Sequence, residues 1–506
     1  MHLVVTLLGA TILFADPGTA LSIAAPGQPI LPIRLQKESA EPPLPPGLQP
    51  QSDEPQLPPG LEEPSDAPEL PPGLEKKEGG EPELPAGLTD TREEGARPEE
   101  DAQREMPSQF TGFWEGRLGG RIGDDEHERD LSIAETRIQL EWEKHFTSFS
   151  FNLTADILYD GLADRHRVDL EKGEGFVDLR EANIAFSPAA FMDLKAGRQI
   201  VTWGTGDLIF INDLFPKDFK AFFIGRDEEY LKAPSDALKL SLFSDWVNLD
   251  LVYTPRFDAD RFIDGSRISF FDPAQGRIVG RNAIIGVDQP DETYEDDELA
   301  VRLFRNIAAY ELAFYGYKGF WKSPAGTDPG TGLATFPRLS VYGVSLRGPV
   351  GKGIANFELG YYDSRDDSDG DDPFIRNSEA RFLVGYEREI GKNLTLGLQY
   401  FLEYMLDHDA YLKTLPAGAP RRDKDRHLLT GRTTLLAMNQ NLTWSLFAFY
   451  SPSDKDAHVR PKAHYKINDN WSVEVGANLF NGKDDHSFFG QFKQNSNVYA
   501  GIRYGF

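Results

Sequence analysis

The chain has 506 residues, no cysteine and a formal charge of −28. This excludes a disulfide framework, a thiolate metal site and a thiol nucleophile, and it opposes nucleic acid as a partner, because phosphates repel an acidic surface. Beyond the N-terminus no apolar run approaches the roughly 18 residues of a membrane helix, whereas a membrane strand needs only every second residue apolar.

Residues 1–25 read as a secretory signal peptide. Leu3 to Phe14 form the apolar centre, and Asp16-Pro17-Gly18 and small residues lead to exits after Ala20 or Ala25; no basic residue precedes the centre. Residues 26–107 carry 7 Lys/Arg against 19 Asp/Glu and no amphipathic period. They are expected to be a disordered, periplasmic, Pro/Glu-rich segment. One phrase recurs in it, Leu44-Pro-Pro-Gly-Leu48, Leu57–Leu61 and Leu70–Leu74, then Leu84-Pro-Ala-Gly-Leu88, at spacings of 13, 13 and 14 residues. Paired prolines favour an extended polyproline form, so one reading is a stiff spacer. The other is a repeated docking motif for a periplasmic protein, each copy offering two leucine anchors.

From residue 108 to 506 the pattern changes to segments of about ten residues with period two. Phe149, Phe151, Leu153, Ala155, Ile157 and Tyr159 oppose Ser148, Ser150, Asn152, Thr154 and Asp156; Trp471, Val473, Val475, Ala477 and Leu479 oppose Ser472, Glu474, Gly476 and Asn478. This is the signature of barrel strands with one face to lipid and one to a wet lumen. Short turns at 144–145, 188–190, 244–246, 305–306, 349–353, 391–392, 439–441 and 468–470 alternate with longer polar connections at 121–130, 160–175, 204–233, 255–296, 318–335, 364–377, 406–426, 452–456 and 481–490. The spacing predicts an all-β fold, a closed antiparallel transmembrane β-barrel of about 18 strands with 16 as the alternative. It lies in the outer membrane against lipid and lipopolysaccharide, both termini in the periplasm. The last strand alternates Val498, Ala500, Ile502, Tyr504 and Phe506, resembling the C-terminal signal read by the barrel-assembly machinery.

The polar parity predicts a pore lining of Glu135, Arg137, Glu141, Asp156, Glu181, Arg198, Arg302, Glu311, Glu358, Arg381, Arg460, Lys462, His464 and Arg503. Such charges either select a polar solute or brace a filled barrel. The segment Leu194–Pro234 is too aromatic for a loop in water. Gly197, Gly204 and Gly206 permit a bend at its start. It is expected to fold into the mouth as a constriction, with Asp207, Phe210, Asp213, Phe215, Lys217, Asp218, Phe219, Lys220 and Arg226 as its working residues, aromatics on the wall and charges to the passage. Packing on neighbouring outer loops is the alternative.

"VDLREANIAFSPAAFMDLKAGRQIVTWGTGD", with "PSDALKLSLFSDWVNLDLVY" and the ending "SFFGQFKQNSNVYAGIRYGF", resembles a class of Gram-negative outer-membrane porin-like barrels of mostly unknown substrate, distantly similar to alginate-export porins. The resemblance implies a porin-type barrel and transfers no substrate. No Gly-x-Ser-x-Gly or His-Glu-x-x-His occurs, so no catalytic residue and no cofactor is expected. The acidic run 363–372 fails as a calcium loop, since Arg365 and Arg376 stand where carboxylates belong. Two functions follow: a channel for a small hydrophilic or charged solute narrowed by 204–233, or a non-enzymatic scaffold that docks periplasmic partners, such as a multihaem cytochrome, through the repeats.

Overall fold

The computed structural model describes residues 109–164 and 166–506; the expected signal peptide and the proline-rich repeats lie outside the described residues. Eighteen strands form one antiparallel sheet. The first nine are β1 (Gln109–Arg121), β2 (Leu131–His145), β3 (Ser150–Asp160), β4 (Val177–Ala189), β5 (Met192–Gln199), β6 (Ser235–Leu242), β7 (Asn248–Thr254), β8 (Glu298–Ile307) and β9 (Tyr310–Phe320). Then come β10 (Arg338–Val350), β11 (Gly353–Ser364), β12 (Glu379–Gly391), β13 (Leu394–Met405), β14 (Asp425–Ala437), β15 (Leu442–Ser451), β16 (Asp456–Lys466), β17 (Trp471–Gly482) and β18 (Asn497–Gly505). Each strand pairs with its neighbour in sequence, and β18 pairs back on β1, from Phe113 opposite Gly505 to Arg121 opposite Asn497. The sheet is closed, so no edge is left. Eighteen strands are present, not the alternative 16.

The period-two pattern decides which face goes where. Leu118, Phe314, Tyr342 and Val475 are each more than half exposed, while Asp156, Glu358, Glu379 and Asn478 on the opposite parity are at most 1 % exposed. Apolar side chains on the outside of a closed barrel are stable only against lipid. Eight turns of two to five residues alternate with nine connections, eight of them of nine residues or more; the connection 452–455, expected among the longer ones, has only four. The last connection differs in extent. It runs to residue 496, because Gly490–Asn495 winds into a 3₁₀ turn before β18.

The apolar core lies inside the barrel rather than between sheets. The connection 200–234 supplies Trp203, Ile211, Phe215, Phe222 and Phe223, and the wall supplies the inward Phe447, Phe449, Phe480 and Tyr499. Within that connection, α1 (Phe219–Ile224) has one and a half turns. Asp218 caps its start by accepting from the Ala221 N–H at 2.7 Å, and Gly225 ends it in the left-handed region at φ 98°. A Cβ on Gly225 would also fall 2.4 Å from the Tyr499 ring. Both constraints require glycine there.

Candidate functional site

The connection 200–234 is bonded to wall strands around much of the circumference. At its start, Glu358 of β11 accepts from the N–H and hydroxyl of Thr205, from Gly206 N–H at 2.8 Å, and from Asn212 N–H at 3.3 Å and its amide at 2.8 Å. Gln399 of β13 brackets Asp207 by accepting from its N–H and donating to its carbonyl, both at 2.8 Å. Arg432 of β14 forks onto the Asp207 carboxylate at 2.6 and 2.9 Å and reaches Glu228 at 2.7 Å.

On the far side, Arg226 forks onto Glu135 of β2, the shortest contact being 2.6 Å. Tyr230 is held between the guanidiniums of Arg137 and Arg180, 3.9 and 4.5 Å from its ring. Arg503 of β18 donates to Glu229 at 2.8 Å, and Asn478 and Asn497 donate to the Phe223 carbonyl at 3.1 and 3.0 Å. In α1, Phe222 and Phe223 meet His458 of β16 edge-on, and the imidazole is itself stacked between Phe449 and Phe480.

The charges of this connection are arranged differently from the expectation that they face a passage. Asp213 and Lys217 are buried and pair with each other at 2.9 Å. Asp218 caps α1, and Lys220 is held by Glu174 at 2.9 Å and Asp264 at 3.5 Å. Charges inside a low-dielectric filling are tolerable only when paired, so folding the aromatic loop inward forces its ions onto partners. Phe215 packs edge-on to Trp203, Lys217 lies 4.8 Å from the Phe210 ring, and Phe219 is half-buried against the same core. The acids that water does reach are Asp207, Asp227, Glu228 and Glu229. Burial pushes Asp207 and Glu229 above the usual carboxylate range, and their arginines offset this only in part. Burial opposes ionisation of Asp227 and Glu228 too, but Lys462 and Arg503 beside the first and Arg432 beside the second outweigh it and hold both below that range.

Of the other residues expected on the lumen face, Arg137 pairs with Asp156, and Glu181 is 3.8 Å from Lys195. Arg302 bonds Glu311 at 2.6 Å. Arg381 bonds Glu379 at 2.9 Å and lies over the Tyr362 ring at 3.9 Å. Glu141 is exposed towards the turn end, where Thr111 donates to it, and His464 is half-buried on the face of Arg460 and Lys462. Arg198 stands apart. It is opposite Asp236 in register, on the parity of the outward Leu238, and bonds Asp236 at 2.8 Å and the Leu170 carbonyl at 3.0 Å at the loop end of β5.

Several contacts were not singled out from the sequence. Arg117 joins Glu115 at 2.8 Å to Glu474 at 2.9 Å. Arg261, from the connection 255–297, forks onto Asp178 at 2.8 Å while its N–H donates to the Lys217 carbonyl. That second connection also covers the first through Asp260, which accepts from the Lys217 N–H at 2.7 Å. Arg432 was visible as the polar partner of Leu429 and Leu435 in the alternation of β14; Arg261 carries no sequence signal beyond its charge.

A closed barrel with an apolar outer face and a charged interior is built for one setting. The chain is an outer-membrane barrel. No family model matches it, and no curated protein does. Among solved structures it is similar to Acinetobacter baumannii OccAB3, at 10 % identity and a TM-score of 0.49 over 79 % of this chain and 99 % of that one. It is similar to Pseudomonas aeruginosa OccD3, at 10 % and 0.47 over 79 % and 91 %. It is also similar to a loop-deletion form of OmpT, an outer membrane protein of Vibrio cholerae, at 11 % and 0.37 over 79 % and 99 %. None of these likenesses transfers a residue role or a solute.

Proposed function

We propose that the barrel is a porin-like, non-enzymatic channel for a small hydrophilic or charged solute, and that the connection 200–234 is its constriction. The observation that carries this reading is the pair of forked salt bridges at its two ends, Asp207 to Arg432 of β14 and Arg226 to Glu135 of β2. An outer loop packed on its neighbours would have no reason to bond lumen-facing residues on strands so far apart in the wall order. Two separate cavities support the same reading. One is lined by Thr205, Asp207, Asn356, Gln399 and Arg432, the other by Lys220, Pro234, Asp258, Asp260 and Arg261. They share no residue, and each is lined in part by the connection 200–234. The filling also makes the native conductance small, since ion flow must thread past it or wait for it to shift.

Planar-bilayer recording of the purified barrel tests this. Removing residues 207–226 behind a short glycine bridge should raise the single-channel conductance several-fold, the wall being hydrogen-bonded without them. A shortened barrel with native conductance would remove the constriction from the account. The periplasmic lead, lipopolysaccharide at the outer rim and recognition of the last strand by the assembly machinery belong to the same proposal.

A further inference from the structure

The arc of wall from β14 to β18 carries more cations than its own carboxylates neutralise. At the level of the connection, Arg432, Arg460, Lys462 and Arg503 face the lumen, and the arc's own acid there is Glu474, 3.3 Å from Lys462. Glu115 of the adjoining β1 shares Arg503 at 2.9 Å, and the remaining countercharge comes from the connection. Asp207 and Glu228 sit on Arg432, and Glu229 sits on Arg503, with Asp227 at 4.0 Å. Arg460 receives none. Its guanidinium lies 3.7 Å from the Phe222 ring and donates to the Asn478 side chain at 3.1 Å, and among the described residues no carboxylate is within 4.0 Å of it. Arg432 and Arg460 are both in register with Phe447 between them, two strands apart.

The two kinds of acid differ in access. The side chains of Glu115 and Glu474 on the wall are 5 % exposed, whereas those of Asp207 and Glu229 are 40 % and 44 % exposed. Pairs that water reaches are weakly held and exchange with other anions; buried ones do not. A guanidinium fork binds any carboxylate by the same two parallel bonds. The loop carboxylates therefore have the chemistry and the accessibility of a replaceable ligand, while Arg460, buried beneath Phe222, adds positive charge to the arc.

We propose that this arc is the solute-binding face of the constriction, that it takes a small organic anion with two or more carboxylates, and that Asp207, Glu228 and Glu229 occupy the place of that anion until solute displaces them. This rests on the channel reading. Displacement removes the ionic contacts to Arg432 and Arg503, while Glu358, Glu135 and the Asn478 and Asn497 bonds to the Phe223 carbonyl keep the connection attached, so solute both binds and widens its own path.

The test is ion selectivity of the full-length barrel in planar bilayers, with folding of each form read from its heat-modifiable gel migration. Asp207→Asn/Glu228→Gln/Glu229→Gln should raise the anion-to-cation permeability ratio in a potassium chloride gradient by about tenfold, and Arg460→Gln should lower it. Native barrel in potassium succinate should open more often than in chloride or inorganic phosphate at the same ionic strength. Should the triple variant not fold, Glu229→Gln alone must shift the ratio in the same direction. A conducting native barrel with an unchanged ratio in these variants, or with equal opening in the three salts, overturns the inference and leaves the channel standing. A folded native barrel that conducts in none of the salts overturns both.

Discussion

At the scale of single residues, the interior is organised by groups that satisfy several partners at once. Glu358 takes five donors from the connection, and among the described residues no cation pairs with it. Glu358→Gln keeps the shape but turns one acceptor oxygen into a donor facing donors. The docking of 204–212 should weaken by about 2–3 kcal/mol. Faster protease cleavage inside 200–234 of an otherwise folded barrel is the expected result, and cleavage at the native rate would count against it. Asp258, in the connection 255–297, is pushed up to about 6, chiefly by burial, against which Ser235 and Lys322 act only in part. Its folded value lies above the unfolded one, so its contribution is fully present below about pH 4 and is lost as pH rises through about 6. Asp258→Asn removes that loss. The variant should gain about 1 kcal/mol over the native barrel at pH 8, after screening by water, and nothing at pH 3.5. Thermal unfolding in detergent at both pH values measures it; a gain independent of pH would assign the effect elsewhere. These details were not legible in the sequence for one reason. Thr205 and Glu358 are 153 residues apart, and Glu229 and Arg503 are 274 apart, and pairing at that distance follows from barrel register, which one sequence does not state.

At the scale of elements, α1 is too short to persist alone, so its existence depends on what it is pressed against. Phe222 and Phe223 insert among Phe449, His458, Phe480 and Phe492. Phe223→Ala should loosen that docking by about 3 kcal/mol without breaking a wall hydrogen bond. More frequent channel openings at unchanged gel migration is the expected outcome, and loss of the folded band instead would mean that the helix supports the wall. The aromatic content of Leu194–Pro234 announced that this segment is not a water-exposed loop, and the strand alternation located every wall element. What the pattern could not give was the partner of the aromatics. Phe447, Phe449 and Phe480 sit on the polar parity of their strands, where an alternating code expects lumen-facing polar groups. The covering role of 255–297 was hidden as well, because its composition is that of any polar loop.

At the scale of the molecule, the wall and its filling are separable in bonding. The wall is a closed ladder of neighbours in sequence, with β1 to β18 as the one pairing between distant segments. The filling is held to it by side chains. Deleting residues 207–226 should therefore leave the unfolding midpoint of the wall within a few degrees of native, measured by loss of the heat-modifiable band, even as conductance rises; a collapse of that midpoint would make the filling structural.

The seam itself has a consequence for how the molecule comes into being. Gly112 and Phe506 exchange both backbone hydrogen bonds, at 3.1 and 3.0 Å, so the two ends of the wall are stitched side by side. The cylinder closes only where the last strand meets the first. By the same geometry the chain is nearly a ring. Joining residue 506 to 109 through a few glycines and cutting instead in the connection 406–424 near Pro416 would exchange old ends for new without moving a strand.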